Sequence, residues 1–229
     1  MTHLTDQNYW LKEAKKFTSY YTHQAFFSLK KFPQAFLNDR TNALLSYLEP
    51  EIKKNPKLLD VGCGHGVHLK MLAQKCQEVV GVDVSQQMLD LAKKELKSLK
   101  KQNWKLILAD ANKLPFPVKS FDIIIAMGLL DYVTSPLNVL NQCANVLKKD
   151  GIIVFTIPKK PSLFSPLRTP IGNLIKKVVF GLPPIYQILT KSQVEQLTKK
   201  AGFKIERMES IWSTMWIVRA RKINSISTS

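Results

Sequence analysis

Cysteine is scarce in this 229-residue chain, and its cysteines do not follow a metal-binding or disulfide pattern. The three are Cys63, Cys76 and Cys143, an odd number without paired spacing. A disulfide-stapled secreted domain and a cysteine metal site are therefore excluded, and a reducing compartment fits best. We predict no bound metal.

Long apolar runs are absent as well. The longest, IIIAMGLL at 123–130, is far too short to cross a bilayer. The opening residues MTHLTDQNYWLKEAKK have no apolar stretch behind their charges, as a secretion signal would have. We therefore expect a soluble, cytoplasmic protein.

Acidic residues are few, since 17 Asp and Glu stand against 34 Lys and Arg, for a net charge of +17. The basic residues comprise 29 lysines and only 5 arginines. Nucleic-acid-binding surfaces rely on arginine for bidentate contacts, whereas lysine is a hydrated point charge. The charge thus favours a solvated lysine surface, with an acidic substrate or an anionic membrane surface as alternatives.

Apolar strands alternate with amphipathic helices from Lys57 onward. The predicted strands are KLLDV (57–61), EVVGVDV (78–84), WKLILAD (104–110), FDIIIAMG (121–128) and GIIVFTIP (151–158). The helical segments between them begin at recognisable signals, with Ser85 as an N-cap and Pro136 in a first turn. This alternation is typical of a doubly wound α/β fold, in which helices cover both faces of a parallel sheet.

The carboxyl-terminal part follows a different pattern. Thr190 and Gly202 delimit a helix, and FKIERME and STMWIVRARK then predict an antiparallel strand pair that closes the sheet. We predict one domain with a seven-stranded, mostly parallel sheet. Its predicted parts are an N-terminal helical cap (1–50), a core (57–158), a lid insertion (159–189) and the carboxyl-terminal helix and strand pair (190–222).

Three glycines follow the first predicted strand in LLDVGCGHG, at positions 62, 64 and 66. Ligands of open α/β sheets bind outside the carboxyl ends of the strands. Glycine there adopts positive φ and lets a ligand lie against bare backbone. A tight turn without a ligand would use the same residues, so the loop alone does not define a site.

Two further acids end the next predicted strands, Asp83 after the second and Asp110 after the third. Acids at consecutive strand ends are hard to explain by turn chemistry, and Asp83 is placed to accept hydrogen bonds from ribose hydroxyls. A dinucleotide fingerprint would need its third glycine at position 67, which is valine. Asp60 also favours a cationic ligand over a pyrophosphate. The loop is therefore interpreted as the binding site of an adenosyl group with a positively charged tail.

These motifs resemble the class I S-adenosylmethionine-dependent methyltransferases. The resemblance covers LLDVGCGHG, VVGVDVS, LILADANKLPFPVKSFDIIIAMG and VLKKDGIIVFTIP in order, about residues 57–158, and is greatest to the UbiE-like small-molecule methyltransferases. It implies that the glycine loop carries the methionine part near Asp60, that Asp83 holds the ribose, and that Asp110 bonds the adenine amino group. The cofactor-binding residues it implies are Asp60, Gly62, Cys63, Gly64, Asp83, Val84, Met88, Asp110, Ala111 and Met127.

Residues for the chemistry itself are harder to identify, because a sulfonium donor is already activated and positioning can suffice. A base is needed only if the acceptor must lose a proton. Candidates are Asp131, which could instead cap the following helix, Tyr132 beside it, and His65 in the glycine loop. Members of the resembled group often have a histidine shortly after the fourth strand, and this chain has GLLDYV there.

The insertion carries the expectations about the acceptor. Apolar residues at helical spacing over 171–182, with lysines on another face, predict a lid helix or a peripheral membrane contact. Arg168 and Tyr186 are candidate substrate contacts. A fainter similarity of GLLDYV and the SPLR-containing insertion to magnesium-protoporphyrin methyltransferases would imply a large planar or carboxylate-bearing acceptor. Arg40, on an apolar helical face, is interpreted as an edge residue that extends to solvent, with a contact to the cofactor carboxylate as the alternative.

Three functions are therefore compared. The leading one is O- or C-methylation of a small, lipophilic or quinone-like acceptor. A nucleic-acid methyltransferase is the alternative that the charge suggests, although no Asn-Pro-Pro-Tyr-type motif follows the fourth strand. A non-catalytic S-adenosylmethionine-binding regulator is the third. The sequence does not indicate the oligomeric state.

Overall fold

The chain folds around one seven-stranded sheet. The computed structural model describes residues 31–161 and 187–223. The strand order is β3-β2-β1-β4-β5-β7-β6. The strands are β1 (Lys57–Val61), β2 (Glu78–Asp83), β3 (Trp104–Leu108), β4 (Phe121–Ala126), β5 (Leu147–Pro158), β6 (Phe203–Ile211) and β7 (Met215–Lys222).

Five α-helices belong to the described part of the chain. They are α1 (Lys31–Ile52), α2 (Val67–Leu72, followed by a 3-10 turn at Ala73–Lys75), α3 (Gln86–Lys97), α4 (Pro136–Val146) and α5 (Lys191–Lys200). Three helices begin at hydroxyl caps, since Ser85, Ser135 and Thr190 each accept a backbone N–H of the first turn. The sequence predicts the caps at Ser85 and Thr190, and the structure adds Ser135. These caps fix where each connection ends and its helix starts.

The strand pairings confirm the predicted fold class. β1 lies between β2 and β4 and is parallel to both, while β5 pairs with β7, and β7 with β6, in antiparallel fashion. The order reverses at β1, because the chain moves from β1 to β2 on one side and later to β4 on the other. The crevice of an open α/β sheet lies at such a reversal, so the fold places one at the carboxyl end of β1.

The fifth strand is longer than predicted, since β5 begins at Leu147 and not at Gly151. Asp150 has φ of 59°, and the β4–β5 register shifts between Phe121 and Ile123. A left-handed residue beside a register shift is the geometry of a bulge. The Lys-Lys-Asp-Gly segment is thus an irregular part of the strand, although its sequence resembles a turn.

Both faces of the sheet are buried, as near-continuous apolar strands predict. Neighbouring residues alternate between two hydrophobic clusters, with Leu58 in one and Leu59 in the other. Leu44 of α1 packs in the first cluster, and Val139 of α4 packs in the second. The helices therefore cover the sheet in two layers.

A buried guanidinium fastens the end of α1 to the sheet. Arg219 on β7 is 8% exposed and donates to the Tyr47 carbonyl at 2.6 Å, to Glu51 at 2.8 Å and to Glu206 at 2.7 Å. Arg221 donates to the same two carboxylates. A buried cation is tolerated when each of its nitrogens has a partner, as those of Arg219 do here.

Several predictions fall outside the described residues. These concern the first part of the N-terminal cap, most of the lid insertion with its helix at 171–182, and both Arg168 and Tyr186. The division into cap, core, lid and tail remains a prediction. Within 31–161 and 187–223, every helix is too short or too polar to span a bilayer.

The Glu51 carboxylate predicts a pH-dependent stability. Burial alone would raise its pKa, but hydrogen bonds from Lys54, Arg221 and Arg219 lower it to about 2. A folded-state pKa below the ordinary value contributes stability above about pH 4.5, and this contribution is lost as the pH falls toward 2. Glu51→Gln should lower the free energy of unfolding at pH 7 by roughly 2 to 3 kcal/mol.

Urea unfolding of both proteins at several pH values measures this difference, which should shrink steadily in acid. Glu49→Gln is the matched control, because Glu49 is 68% exposed and its one ion pair among the described residues is with Lys53 at 3.3 Å. An exposed pair of this kind contributes little. Equal effects of the two substitutions at pH 7 would contradict the assignment.

Candidate functional site

The glycine loop leaves β1 by a sharp turn that is tied to β2. Gly62, Gly64 and Gly66 have φ of 74°, 52° and 82°, all in the left-handed region that favours glycine. The N–H groups of Gly62 and Cys63 both donate to the Val82 carbonyl, at 2.8 and 3.0 Å. The loop is therefore held at the carboxyl end of β1, against the neighbouring strand.

The three glycines differ in what lies beside them. A Cβ at Gly62 would approach Leu129 to 3.0 Å, and one at Gly66 would approach Ala92 of α3 to the same distance. A Cβ at Gly64 would meet no atom of the described chain within 4 Å. Gly62 and Gly66 thus serve close packing, whereas Gly64 borders open space where a ligand could lie against the backbone.

Asp60 is a buried acid with unused hydrogen-bonding capacity. It is 1% exposed, and neither carboxylate oxygen has a hydrogen-bond partner among the described residues. Nδ1 of His68 lies 3.8 Å from Oδ2. A buried carboxylate is costly unless it is paired, so its position beneath the loop suits a ligand that carries positive charge.

Asp83 ends β2 and anchors the same loop. Its Oδ2 accepts the Gly64 N–H and its Oδ1 accepts the Ser85 N–H, both at 2.9 Å. Burial, assisted by the charge of Asp60, raises the pKa of Asp83 despite these hydrogen bonds. A carboxylate has about four acceptor positions, so the partly exposed Asp83 keeps capacity for a ligand donor.

The third acid, Asp110, follows β3 and lies further along the same edge. Its Oδ1 accepts the backbone N–H of Asn112 at 2.8 Å and that residue's side-chain amide at 3.0 Å. Oδ2 accepts no hydrogen bond from the described part of the chain, and the residue is partly exposed. Asp110 therefore presents one carboxylate oxygen that a ligand donor could use.

Apolar residues fill the gaps between these acids. Met88 on α3 and Met127 after β4 are buried, while Val84 and Ala111 are partly exposed at the ends of their strands. Cys63 is buried beside Gly81, and burial raises the pKa of its thiol well above the ordinary value. Cys63 is thus a packing residue of the loop and not a thiolate nucleophile.

Arg40 of α1 lies at this edge as well. A Cβ at Gly128 would approach its Nη1 to 3.0 Å, and Gly128 itself donates to Thr156 Oγ1 at 2.8 Å. The arginine is half-buried, and its Nε has no hydrogen-bond partner among the described residues. The guanidinium therefore lies beside the end of β4, in contrast to the predicted extension into solvent. The sequence signal for this position was that Arg40 shares one helical face with Phe36 and Leu44.

The candidate residues for the chemistry occupy different parts of the edge. Asp131 is 5% exposed in the connection after β4, and Tyr132 follows it in a turn closed by its N–H to Leu129. Since Ser135 caps α4, Asp131 does not have that alternative role. His65 lies in the glycine loop, where burial lowers the pKa of its imidazole.

The carboxyl ends of four neighbouring strands thus form one polar edge. It contains a bare backbone at Gly64, acids at the carboxyl ends of β1 and β2 and just after β3, and a guanidinium beside β4. Such a donor and acceptor set fits an elongated ligand with a nucleoside at one end and a zwitterion at the other. The described residues contain no cluster of potential metal ligands.

Known proteins share this sequence pattern. Residues 59–155 match the family described as "Methyltransferase domain". A demethylmenaquinone methyltransferase of Tropheryma whipplei is 32% identical over 171 residues, which cover 67% of this chain and 70% of that protein. A ubiquinone biosynthesis O-methyltransferase of Coxiella burnetii is 31% identical over 168 residues, which cover 70% and 69%.

The fold has solved counterparts. The magnesium protoporphyrin IX methyltransferase of Synechocystis, solved with bound S-adenosylhomocysteine, aligns with a TM-score of 0.74 and covers 94% of this chain and 97% of that one. Its sequence identity is 15%, so it shows the fold alone.

The glycine loop yields a paired prediction. Gly64→Ala and Gly202→Ala should each cost roughly 1 to 2 kcal/mol of stability, because both glycines have positive φ and no atom within 4 Å of a new Cβ. Only Gly64→Ala should weaken binding of S-adenosylmethionine, by about tenfold or more, because its new methyl group enters the open space. Calorimetric titration and thermal unfolding of both variants test this. Normal binding by Gly64→Ala would show that no ligand lies over the loop.

Proposed function

Because the chain belongs to the class I S-adenosylmethionine-dependent methyltransferases, in the UbiE-like group, we propose that it methylates an oxygen or carbon of a small, lipophilic, quinone-like acceptor. The observation that carries this proposal is the similarity, at 31 to 32% identity over two thirds of the chain, to enzymes named for demethylmenaquinone and for ubiquinone biosynthesis. We propose both the acceptor and the roles of the individual residues.

The charges along the edge support one orientation of the cofactor. Asp60, buried without a hydrogen-bond partner in the described chain, would hold the ammonium group of the methionine part. Asp83 would accept hydrogen bonds from the ribose hydroxyls, and the open backbone at Gly64 would border the ribose as well. Bound there, S-adenosylmethionine supplies an activated methyl group. The unused hydrogen-bonding groups and the charges along this edge therefore suit a molecule with a cationic amino-acid end.

Arg40 would complete this arrangement at the carboxylate of the methionine part. Its Nη1 lies beside Gly128, and its Nε is buried without a partner in the described residues. An amino-acid ligand carries one positive and one negative group close together, and the edge offers Asp60 for the first and Arg40 for the second. A guanidinium suits a carboxylate because its donors form a planar fork.

The acceptor side would lie beyond the end of β4. The connection there contains half-buried Leu129, which borders Gly62 of the glycine loop and suits an apolar molecule, while Leu130 and Val133 pack in the hydrophobic core. Asp131 is the acid of this segment and would orient an acceptor hydroxyl or receive its proton. In this arrangement the protein contributes orientation and exclusion of water, together with one carboxylate at the acceptor.

The unpaired acid leads to an unusual prediction for stability. Asp60→Asn should leave the unliganded protein as stable as the wild type or more stable, because a buried charge without a hydrogen-bond partner is removed. It should weaken S-adenosylmethionine binding by about tenfold or more, since the ammonium group loses its counter-charge. Thermal unfolding without ligand and calorimetric titration measure the two effects.

Asp83→Asn provides the contrast, because its carboxylate is satisfied by the N–H groups of Gly64 and Ser85. An amide there would set its own NH₂ against one of those donors, so this variant should lose both stability and affinity. If Asp60→Asn lost stability and kept its affinity, the proposed role of Asp60 would be wrong.

The acceptor class is tested by methyl transfer from labelled S-adenosylmethionine. We expect labelling of reduced demethylmenaquinone or of a prenylated catechol, and none of porphyrin carboxylates or RNA. Asp131→Asn should lower kcat by about 100-fold if the carboxylate receives a proton, with unchanged cofactor affinity. Labelling of RNA, with binding that falls steeply as salt is raised, would instead support the nucleic-acid alternative. Cofactor binding without transfer to any acceptor would favour a regulator.

A further inference from the structure

Two asparagines form a chain of hydrogen bonds that ends on Asp110. Asn112 donates both its backbone N–H and its side-chain NH₂ to Oδ1 of Asp110, at 2.8 and 3.0 Å. Asn138 on α4 donates its side-chain NH₂ to Asn112, at 3.0 Å to Oδ1 and 3.4 Å to the carbonyl. The third acid of the edge is thus connected to a helix 28 positions further along the chain.

This order of donors fixes which way each side chain faces. An asparagine amide carries its donor and its acceptor on opposite sides. Because Nδ2 of Asn112 faces Asp110, its Oδ1 must face α4, where Nδ2 of Asn138 meets it. A flipped Asn112 would set its oxygen against the carboxylate of Asp110. The amide of Asn138 therefore selects the orientation of Asn112 that donates to the acid.

Asn138 is itself held in place by the start of its helix. It lies in the first turn of α4, and its backbone N–H donates to the capping hydroxyl of Ser135 at 3.4 Å. Asn138 and Asn112 are both half-buried. The acceptor capacity of Asp110 is consequently divided: Oδ1 receives two donors from the chain, and Oδ2 receives none from the described residues.

We propose that Asn138 and Asn112 are positioning residues that aim the free oxygen of Asp110 at the 6-amino group of the adenine, and so set the preference for that base. The inference rests on the proposed role of Asp110 in holding the adenine. It adds a specificity for the 6-amino group of adenine, which Asn112 and Asn138 would produce through Asp110 without contacting the ligand themselves. The test must therefore separate the amino group from the rest of the cofactor.

Two ligands make that separation, S-adenosylhomocysteine and its analogue with hydrogen in place of the 6-amino group. Their dissociation constants are measured by calorimetry with the full chain. The wild type should bind the amino compound on the order of ten to a hundred times more tightly, as expected for a hydrogen bond to a charged acceptor. Asn138→Ala should reduce this ratio to about threefold or less. Its affinity for the 6-hydrogen analogue should stay that of the wild type.

The control is Gln142→Ala, one turn further along α4. Its Oε1 accepts the N–H of Leu114 at 3.3 Å, so it contacts the same connection after β3 without touching Asp110. This variant should keep the wild-type ratio. Asn138→Asp should be worse than Asn138→Ala, because a carboxylate cannot donate to Asn112 and favours its flipped orientation. Thermal unfolding verifies that each variant is folded.

The possible outcomes distinguish the role of Asp110 in holding the amino group from the role of Asn138 in positioning Asp110. If Asp110→Asn abolishes the ratio and Asn138→Ala preserves it, Asp110 holds the amino group and the positioning role of Asn138 is overturned. If Asn138→Ala weakens both ligands equally, the asparagine is only structural and the inference is again overturned. A wild type that binds both ligands equally would refute the role of Asp110, and with it the inference.

Discussion

The two hydrogen bonds from Gly62 and Cys63 to the Val82 carbonyl are the constraint on which the rest of the site depends. They bend the chain sharply at the end of β1 and hold the loop against β2. Because β1 lies at the reversal of strand order, a crevice opens between its neighbours there. The hydrogen bond from Gly64 to Asp83 then brings the second acid to the same loop. Acids far apart in sequence consequently line one edge.

Local signals made much of this predictable from the sequence. The strand bounds follow from apolar runs, and the helix starts follow from hydroxyl residues whose side chains accept a first-turn N–H. The acids after β1, β2 and β3 could be placed together because the ends of parallel strands meet at one edge of a sheet. The bulge at Asp150 could not be predicted, because a Lys-Lys-Asp-Gly sequence also favours a turn. What the sequence predicted best was therefore governed by short-range rules.

The residues whose placement sequence reasoning left open or did not address depend on contacts between distant segments. Arg40 lies beside Gly128 because α1 is fastened at its far end by Arg219 and, near its start, by the hydrogen bond from Trp212 to Asp39 at 2.7 Å. The spacing within the helix shows that Arg40 shares a face with Phe36 and Leu44, but it does not indicate which strand end lies beside that face. The pairing of Asn112 with Asn138 likewise joins a loop to a helix across the fold. Neither arrangement has a sequence motif, because each requires the packed sheet to exist first.

The excess of lysine does not define a site, since many described lysines serve local pairing. Glu78 pairs with Lys57 at 2.7 Å and Lys105 at 2.5 Å, and such partly exposed pairs at the surface add little stability. Two of the buried charged residues, Arg219 and Asp60, are more informative because only the first has its hydrogen bonds satisfied by the described chain. Arg219 has a partner for each nitrogen and serves the fold. Asp60 has no hydrogen-bond partner in the described chain and sits beneath an open loop. Local rules are broken mainly where function requires it, and a buried acid without a hydrogen-bond partner at the crevice is such an exception. This contrast with Arg219 is the physical reason for proposing that Asp60 meets the ammonium group of a ligand.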